Sequence, residues 1–174
     1  GAGISLWIGF HDDMGDPSSD DPIARQSTRL TAMAVSGAQI SYDPRWIRKQ
    51  IGGRAHEHPA LPPLWGVSKD ETDSTKAHQV FHDVSLINFL TAADPPVWVV
   101  YREPFGDLPP DAKPGQGIHH PRFGKELKKR MDALGIECIV KHAIDYPGGK
   151  MNVWPRAQMD EDIAAFLVRH FGGS

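Results

Sequence analysis

This sequence has a single cysteine, no excess of basic residues and no long apolar run. Cys138 is the only cysteine among 174 residues, so no disulfide can form within the chain. Lys and Arg number 19 against 22 Asp and Glu, and without a basic excess we predict no nucleic-acid partner. No apolar run approaches the roughly 18 residues of a membrane helix, so we expect a soluble protein with no membrane span.

What remains is an ordinary globular composition, with 40% hydrophobic and 24% charged residues. Helical and extended patterns alternate along it, which is typical of an α/β fold with a mostly parallel sheet. The region 43–94 does not follow this alternation. Its patterns are short and helical, which indicates an insertion into the α/β fold. The predicted helices are 1–14, 122–134 and 155–171, and the predicted strands are 30–36, 96–101 and 136–142.

Several stretches carry a family resemblance. Small residues, Gly1-Ala2-Gly3, open an apolar helical pattern, as they do directly after the serine of the nucleophile elbow G-x-S-x-G. The chain resembles the C-terminal half of an α/β-hydrolase, and more narrowly a group of esterase- or lipase-like hydrolases of planctomycete-type bacteria. The further stretches that carry this resemblance are Gly3–Trp7, Phe10–Asp13, Gln26–Leu30, Ser41–Arg45, Asp111–Gly124 and Leu134–Cys138.

The resemblance implies one partial α/β-hydrolase domain over 1–174, with 43–94 as a helical cap. It also implies a Ser–Asp/Glu–His triad, in which serine attacks an ester carbonyl, histidine takes its proton and the carboxylate orients the imidazole. We expect the serine and the oxyanion amides just before Gly1, in a missing N-terminal half, so the chain alone should be inactive. No cofactor or metal is expected.

The other two triad positions fit the family pattern less closely. The acid should follow the strand 96–101, where Glu103 stands very near the strand end and Asp107 and Asp111 come later. The histidine should follow the last strand, yet the turn 145–152 has none. His119 and His120 could supply the base from a displaced position, or they could instead shape the loop through hydrogen bonds.

Three other features allow two interpretations each. Trp46 and Trp65 either pack in the core or cap, or line an acyl or alcohol pocket. The pair His56 and His58 and the acidic stretch 12–21 could suggest a metal, but both lack a complete ligand pattern and favour a solvated loop and a turn.

The resulting prediction is a carboxylic-ester hydrolase with a serine nucleophile and a small-molecule ester substrate. The alternative is a non-catalytic α/β-hydrolase-like protein that binds or interacts, and the missing histidine after the last strand supports it.

Overall fold

A three-stranded parallel sheet forms the centre of the computed structural model, which describes residues 1–172. Its strands are β1 (Met33–Ser36), β2 (Val97–Tyr101) and β3 (Cys138–His142), with β2 in the middle. Val97 lies opposite Met33 on one side and Cys138 on the other. All of β2 is buried, as expected for a strand covered on both faces. The structure confirms the predicted α/β class.

Helices cover both faces of the sheet. Alternate residues of β2 point to opposite faces: Val97, Val99 and Tyr101 join the large core, whereas Trp98 and Val100 join a smaller one that contains Phe166. No helix within residues 1–172 is long and apolar enough to cross a bilayer. The helices are α1 (Ala2–Gly9), α2 (Pro44–Gln50), α3 (Leu61–Trp65), α4 (Thr75–Val84), α5 (Arg122–Ala133) and α6 (Arg156–Phe171).

Between β1 and β2 the described secondary-structure elements are all helical, apart from an isolated parallel bridge between Gly52 and Leu108. This segment holds α2, α3 and α4 with short 3-10 turns at Ala55–Glu57, Lys69–Glu71 and Leu86–Asn88. The Asp43 side chain begins α2 by accepting the backbone N–H of Arg45, and the Ser74 hydroxyl caps α4. The segment packs through buried apolar side chains into the large core. A capping function for 43–94 stays a prediction.

The first helix is shorter than the pattern predicts, because α1 ends at Gly9 rather than near residue 14. The chain beyond it forms a loop organised by Asp13, whose carboxylate accepts the backbone N–H groups of Gly15 and Thr28 and the hydroxyl of Ser27. A short acidic side chain competes in this way with the helical hydrogen bonds. These bonds hold residues 27 and 28 in a loop, and β1 begins at Met33, three residues later than predicted.

Candidate functional site

The carboxyl ends of the three strands meet at one edge of the sheet, where ligand sites of open α/β sheets form. Gly37 follows β1, Arg102 and Glu103 follow β2, and the loop after β3 returns to this edge. A cavity of about 120 Å³ lies between them. It is lined by Ser36, Gly37, Arg102, Glu103, His119 and Trp154.

His119 is held at this edge by one ring nitrogen. Its Nδ1 lies 2.6 Å from the carbonyl oxygen of Gly37, and because a carbonyl only accepts, Nδ1 carries the hydrogen. The neutral ring then has its lone pair on Nε2, which makes no hydrogen bond to any described residue. Gly37 has a φ of +59°, a left-handed conformation that glycine adopts without strain. The turn after β1 thereby directs its carbonyl toward His119.

Glu103 brings a carboxylate to the same cavity. Burial raises the pKa of the Glu103 carboxyl, while the nearby His119 imidazole and the hydrogen bond from the His119 backbone N–H act in the opposite direction. Glu103 Oε2 is buried and has no hydrogen-bond partner among the described residues. The site therefore holds the partly buried carboxylate of Glu103 beside the imidazole of His119, whose tautomer is set by the Gly37 carbonyl.

The loop after β3 fixes the backbone of this acid. His142 Nε2 donates to the Glu103 carbonyl at 2.8 Å, and its Nδ1 accepts the N–H of Ile144. The Asn152 N–H donates to the Arg102 carbonyl at 2.7 Å, and the Arg102 guanidinium lies 4.8 Å from the centre of the Trp154 ring. The loop after β3 thus places Trp154 in the cavity that Glu103 and His119 also line.

A larger cleft of about 780 Å³ lies on the other side of His119. We call it the apolar cleft. The first turns of α1 form one wall, and Gly3 lies so close to Tyr42 that a Cβ at this position would collide with the Tyr42 hydroxyl. His119 lines both cavities and so connects Glu103 with the start of α1. Residues lining the apolar cleft include Gly3, Ile4, Trp7, Tyr42, Leu61, Leu64, Ile118 and His119.

The remaining predicted catalytic residues lie elsewhere. Asp107 has 87% of its side chain exposed and forms an ion pair with Arg122. Asp111 is exposed. His120 is fully buried; its Nδ1 accepts the Arg122 N–H and its Nε2 donates to the Gly106 carbonyl. Of the four predicted catalytic residues, only His119 lines the cavity of about 120 Å³ at the strand ends. The carboxylate beside it there is that of Glu103.

The two predicted substrate-binding tryptophans do not line the apolar cleft. Trp46 stacks on Phe123, with 5.6 Å between ring centres. Trp65 is buried, donates from Nε1 to the Tyr42 carbonyl at 2.9 Å and packs its edge against Phe81. The aromatic side chains that do line this cleft, Trp7 and Tyr42, had no distinguishing pattern in the sequence.

Metal ligands are not grouped within residues 1–172, where no three His, Cys, Asp or Glu side chains are arranged to hold an ion. In the acidic stretch, the side-chain hydrogen bond from Ser27 and the backbone bonds from Gly15 and Thr28 lower the pKa of Asp13. Its oxygens therefore organise the loop itself.

Comparison with known proteins shows the fold. No family model matches the sequence, and no curated protein matches it. The structure is similar to that of an acetyl ester-xyloside bifunctional hydrolase from Caldicellulosiruptor lactoaceticus, with a TM-score of 0.61 and 14% identity. The similarity covers 98% of this chain and 53% of that protein, so the chain spans about half its length. The chain thus shares its α/β fold with part of that protein.

Proposed function

We propose that this chain carries the base, His119, and the carboxylate, Glu103, of a carboxylic-ester hydrolase that acts through a serine nucleophile. The observation that carries the proposal is the position of His119. Its Nδ1 is bound at 2.6 Å to the Gly37 carbonyl, its ring lies beside Glu103, and it lines the same cleft as the first turn of α1. A serine at the start of α1 would share that cleft.

Each group then has a chemical role. The serine oxygen attacks the ester carbonyl while His119 Nε2 takes its proton, and the alcohol leaves with that proton to give an acyl-enzyme. In the second half, water attacks the acyl group while His119 Nε2 takes its proton; the bond to the serine oxygen then breaks, that oxygen regains the proton from His119, and the carboxylic acid leaves. The Gly37 carbonyl orients the imidazole, and Glu103 stabilises the positive charge that the imidazole acquires. In the usual triad a single carboxylate has both functions.

The apolar cleft suggests where the substrate lies. Ile4, Trp7, Leu64 and Ile118 present apolar surface next to His119, and sites for small organic ligands are typically concave and mostly apolar with a few polar groups. We therefore propose a small-molecule ester whose apolar part packs in this cleft.

The second candidate is a non-catalytic binding protein with the same fold. It is favoured by the turn 145–152 after β3, which has no histidine, and by the carbonyl, rather than carboxylate, partner of His119 Nδ1. In this case the apolar cleft would hold an ester or a related ligand without turnover.

The test uses the full-length protein, with any residues that precede Gly1. We expect it to hydrolyse p-nitrophenyl acetate and to be labelled by a fluorophosphonate probe, and to lose both when the upstream serine is replaced by alanine. The 174-residue chain should show neither. Hydrolysis that survives the serine replacement contradicts the proposal. A folded longer protein that binds esters without hydrolysis or labelling supports the second candidate instead.

A further inference from the structure

A second cleft lies across α3 from the apolar cleft, and we call it the arginine cleft. Leu61 and Leu64 face the apolar cleft, whereas Pro62 and Trp65 line this one. Its volume is about 500 Å³, enough for a small organic molecule. Helix α2, the turn at Ala55–Glu57 and α3 form most of its walls. Its lining includes Arg45, Arg48, Arg54, His56, Pro62 and Trp65.

Three arginines and two carboxylates, Glu57 and Asp73, line the arginine cleft. The lining therefore carries a small positive excess, although the whole chain has a net charge of −3. Arg45 and Arg48 lie three residues apart on α2 and therefore share a helix face. Two of the three arginines have fixed carboxylate partners: Arg45 pairs with Asp43 at 2.6 Å, and Arg54 with Glu57 at 2.6 Å. Arg48 forms no ion pair or hydrogen bond with any described residue, so its guanidinium is available to a ligand.

His56 contributes a hydrogen-bonding atom without a partner. Its Nδ1 is buried and makes no hydrogen bond among the described residues. Burial lowers the pKa of His56; the Glu57 charge opposes this effect, and Arg48 and Arg54 add to it. A neutral ring with hydrogen on Nδ1 can donate to an acceptor in the cleft. A buried polar group that lacks a partner is costly, and a small rotation of the His56 ring toward the cleft would give Nδ1 an anionic oxygen as its partner.

We propose that the arginine cleft binds a small organic oxyanion, with its carboxylate or phosphate between Arg48 and His56 and its apolar part against Trp65 and Pro62. A guanidinium presents a planar fork of donors that matches both kinds of oxyanion. This site is separate from His119, so it stands whether or not the chain takes part in ester hydrolysis.

Calorimetry on the full chain tests this site with benzoate, phenyl phosphate and inorganic phosphate as probes. We expect saturable one-to-one binding of the two aromatic anions, with inorganic phosphate weaker because it has no apolar part. Arg48→Gln should weaken binding about tenfold, since charge-assisted hydrogen bonds are strong. The matched control is Arg130→Gln, which removes the same charge from an exposed position on α5 and should change affinity less than twofold.

Histidine ring resonances in NMR spectra locate the bound anion. We expect benzoate to shift the His56 signals, assigned with a His56→Gln variant, and to leave those of His119 unchanged. Equal affinities of the two arginine variants would overturn the proposal, as would a shift confined to His119 or no saturable binding by the folded wild type. The unfolding temperature of Arg48→Gln should lie near that of the wild type, which would show that the variant is folded and that the substitution weakens binding itself.

Discussion

His119 and His120 are neighbours in the chain but belong to two different regions of the molecule. His119 lies at the carboxyl edge of the sheet, exposed and lining two cavities. His120 is fully buried at the base of the loop that precedes α5. One ring nitrogen of His119 has a partner and the other has none, whereas both nitrogens of His120 are bonded to the backbone.

This difference separates a group that can do chemistry from one that holds a loop. An imidazole with both nitrogens occupied can neither take a proton from a nucleophile nor bind a ligand without breaking its own hydrogen bonds. An imidazole fixed through Nδ1 with Nε2 open has the arrangement that a general base requires. The hydrogen bonds of the two rings therefore distinguish His119 from His120, which the sequence alone does not.

The largest effect should come from His119→Ala in the longer protein. Removing the base is expected to lower kcat/KM for p-nitrophenyl acetate by about 10³-fold or more. Stability should change by less than about 1 kcal/mol, since the side chain is exposed and its hydrogen bond to the Gly37 carbonyl is replaced by water. His82→Ala, an exposed histidine on α4, is the control and should leave kcat/KM unchanged. A loss of less than tenfold for His119→Ala removes His119 from the mechanism.

His120→Ala should reverse this pattern. It leaves a cavity and leaves the Arg122 N–H and the Gly106 carbonyl without their partner, so we expect the free energy of unfolding to fall by about 2–4 kcal/mol. Urea denaturation measures the change, with His119→Ala as the matched comparison. Equal destabilisation by the two substitutions would contradict the separation of the two regions.

Glu103→Gln should show a smaller effect on activity and a distinct pH dependence. Without the negative charge beside His119, kcat/KM should fall about tenfold, because this charge stabilises the imidazolium. Burial raises the folded-state pKa of Glu103 above its ordinary value of 4.5, so its contribution to stability is present below pH 4.5 and is lost as pH rises through the raised pKa.

The glutamine side chain stays neutral throughout, which makes the variant a reference for this titration. The unfolding free energy of the wild type should therefore decrease relative to that of Glu103→Gln between pH 4 and pH 7, as measured by urea denaturation at each pH. A wild type that gains on the variant over this range would show that the carboxylate is stabilised in its charged form instead.

Much of the fold could be predicted because its signals are local. The run Val97–Tyr101 is β-branched and aromatic throughout and forms the buried central strand. Phe123, Leu127 and Met131 recur at helical spacing and form the buried face of α5. The predicted end of α1 was wrong: residues 10–14 leave the helix, and Asp13 hydrogen-bonds instead to residues 14 and 15 positions away, contacts that helical periodicity does not predict.

By itself, the sequence determined the α/β class, the central strands and His119 as one candidate base, since these depend on residue type and on spacing along the chain. The different positions and hydrogen bonds of His119 and His120, and the position of Glu103 beside His119, appear only in the folded chain. The acceptor of His119 is the Gly37 carbonyl, 82 residues away, and backbone carbonyls are the same in every residue. Their direction depends on the turn after β1 and on how the loop before α5 packs against it, so no side-chain pattern could have revealed this contact.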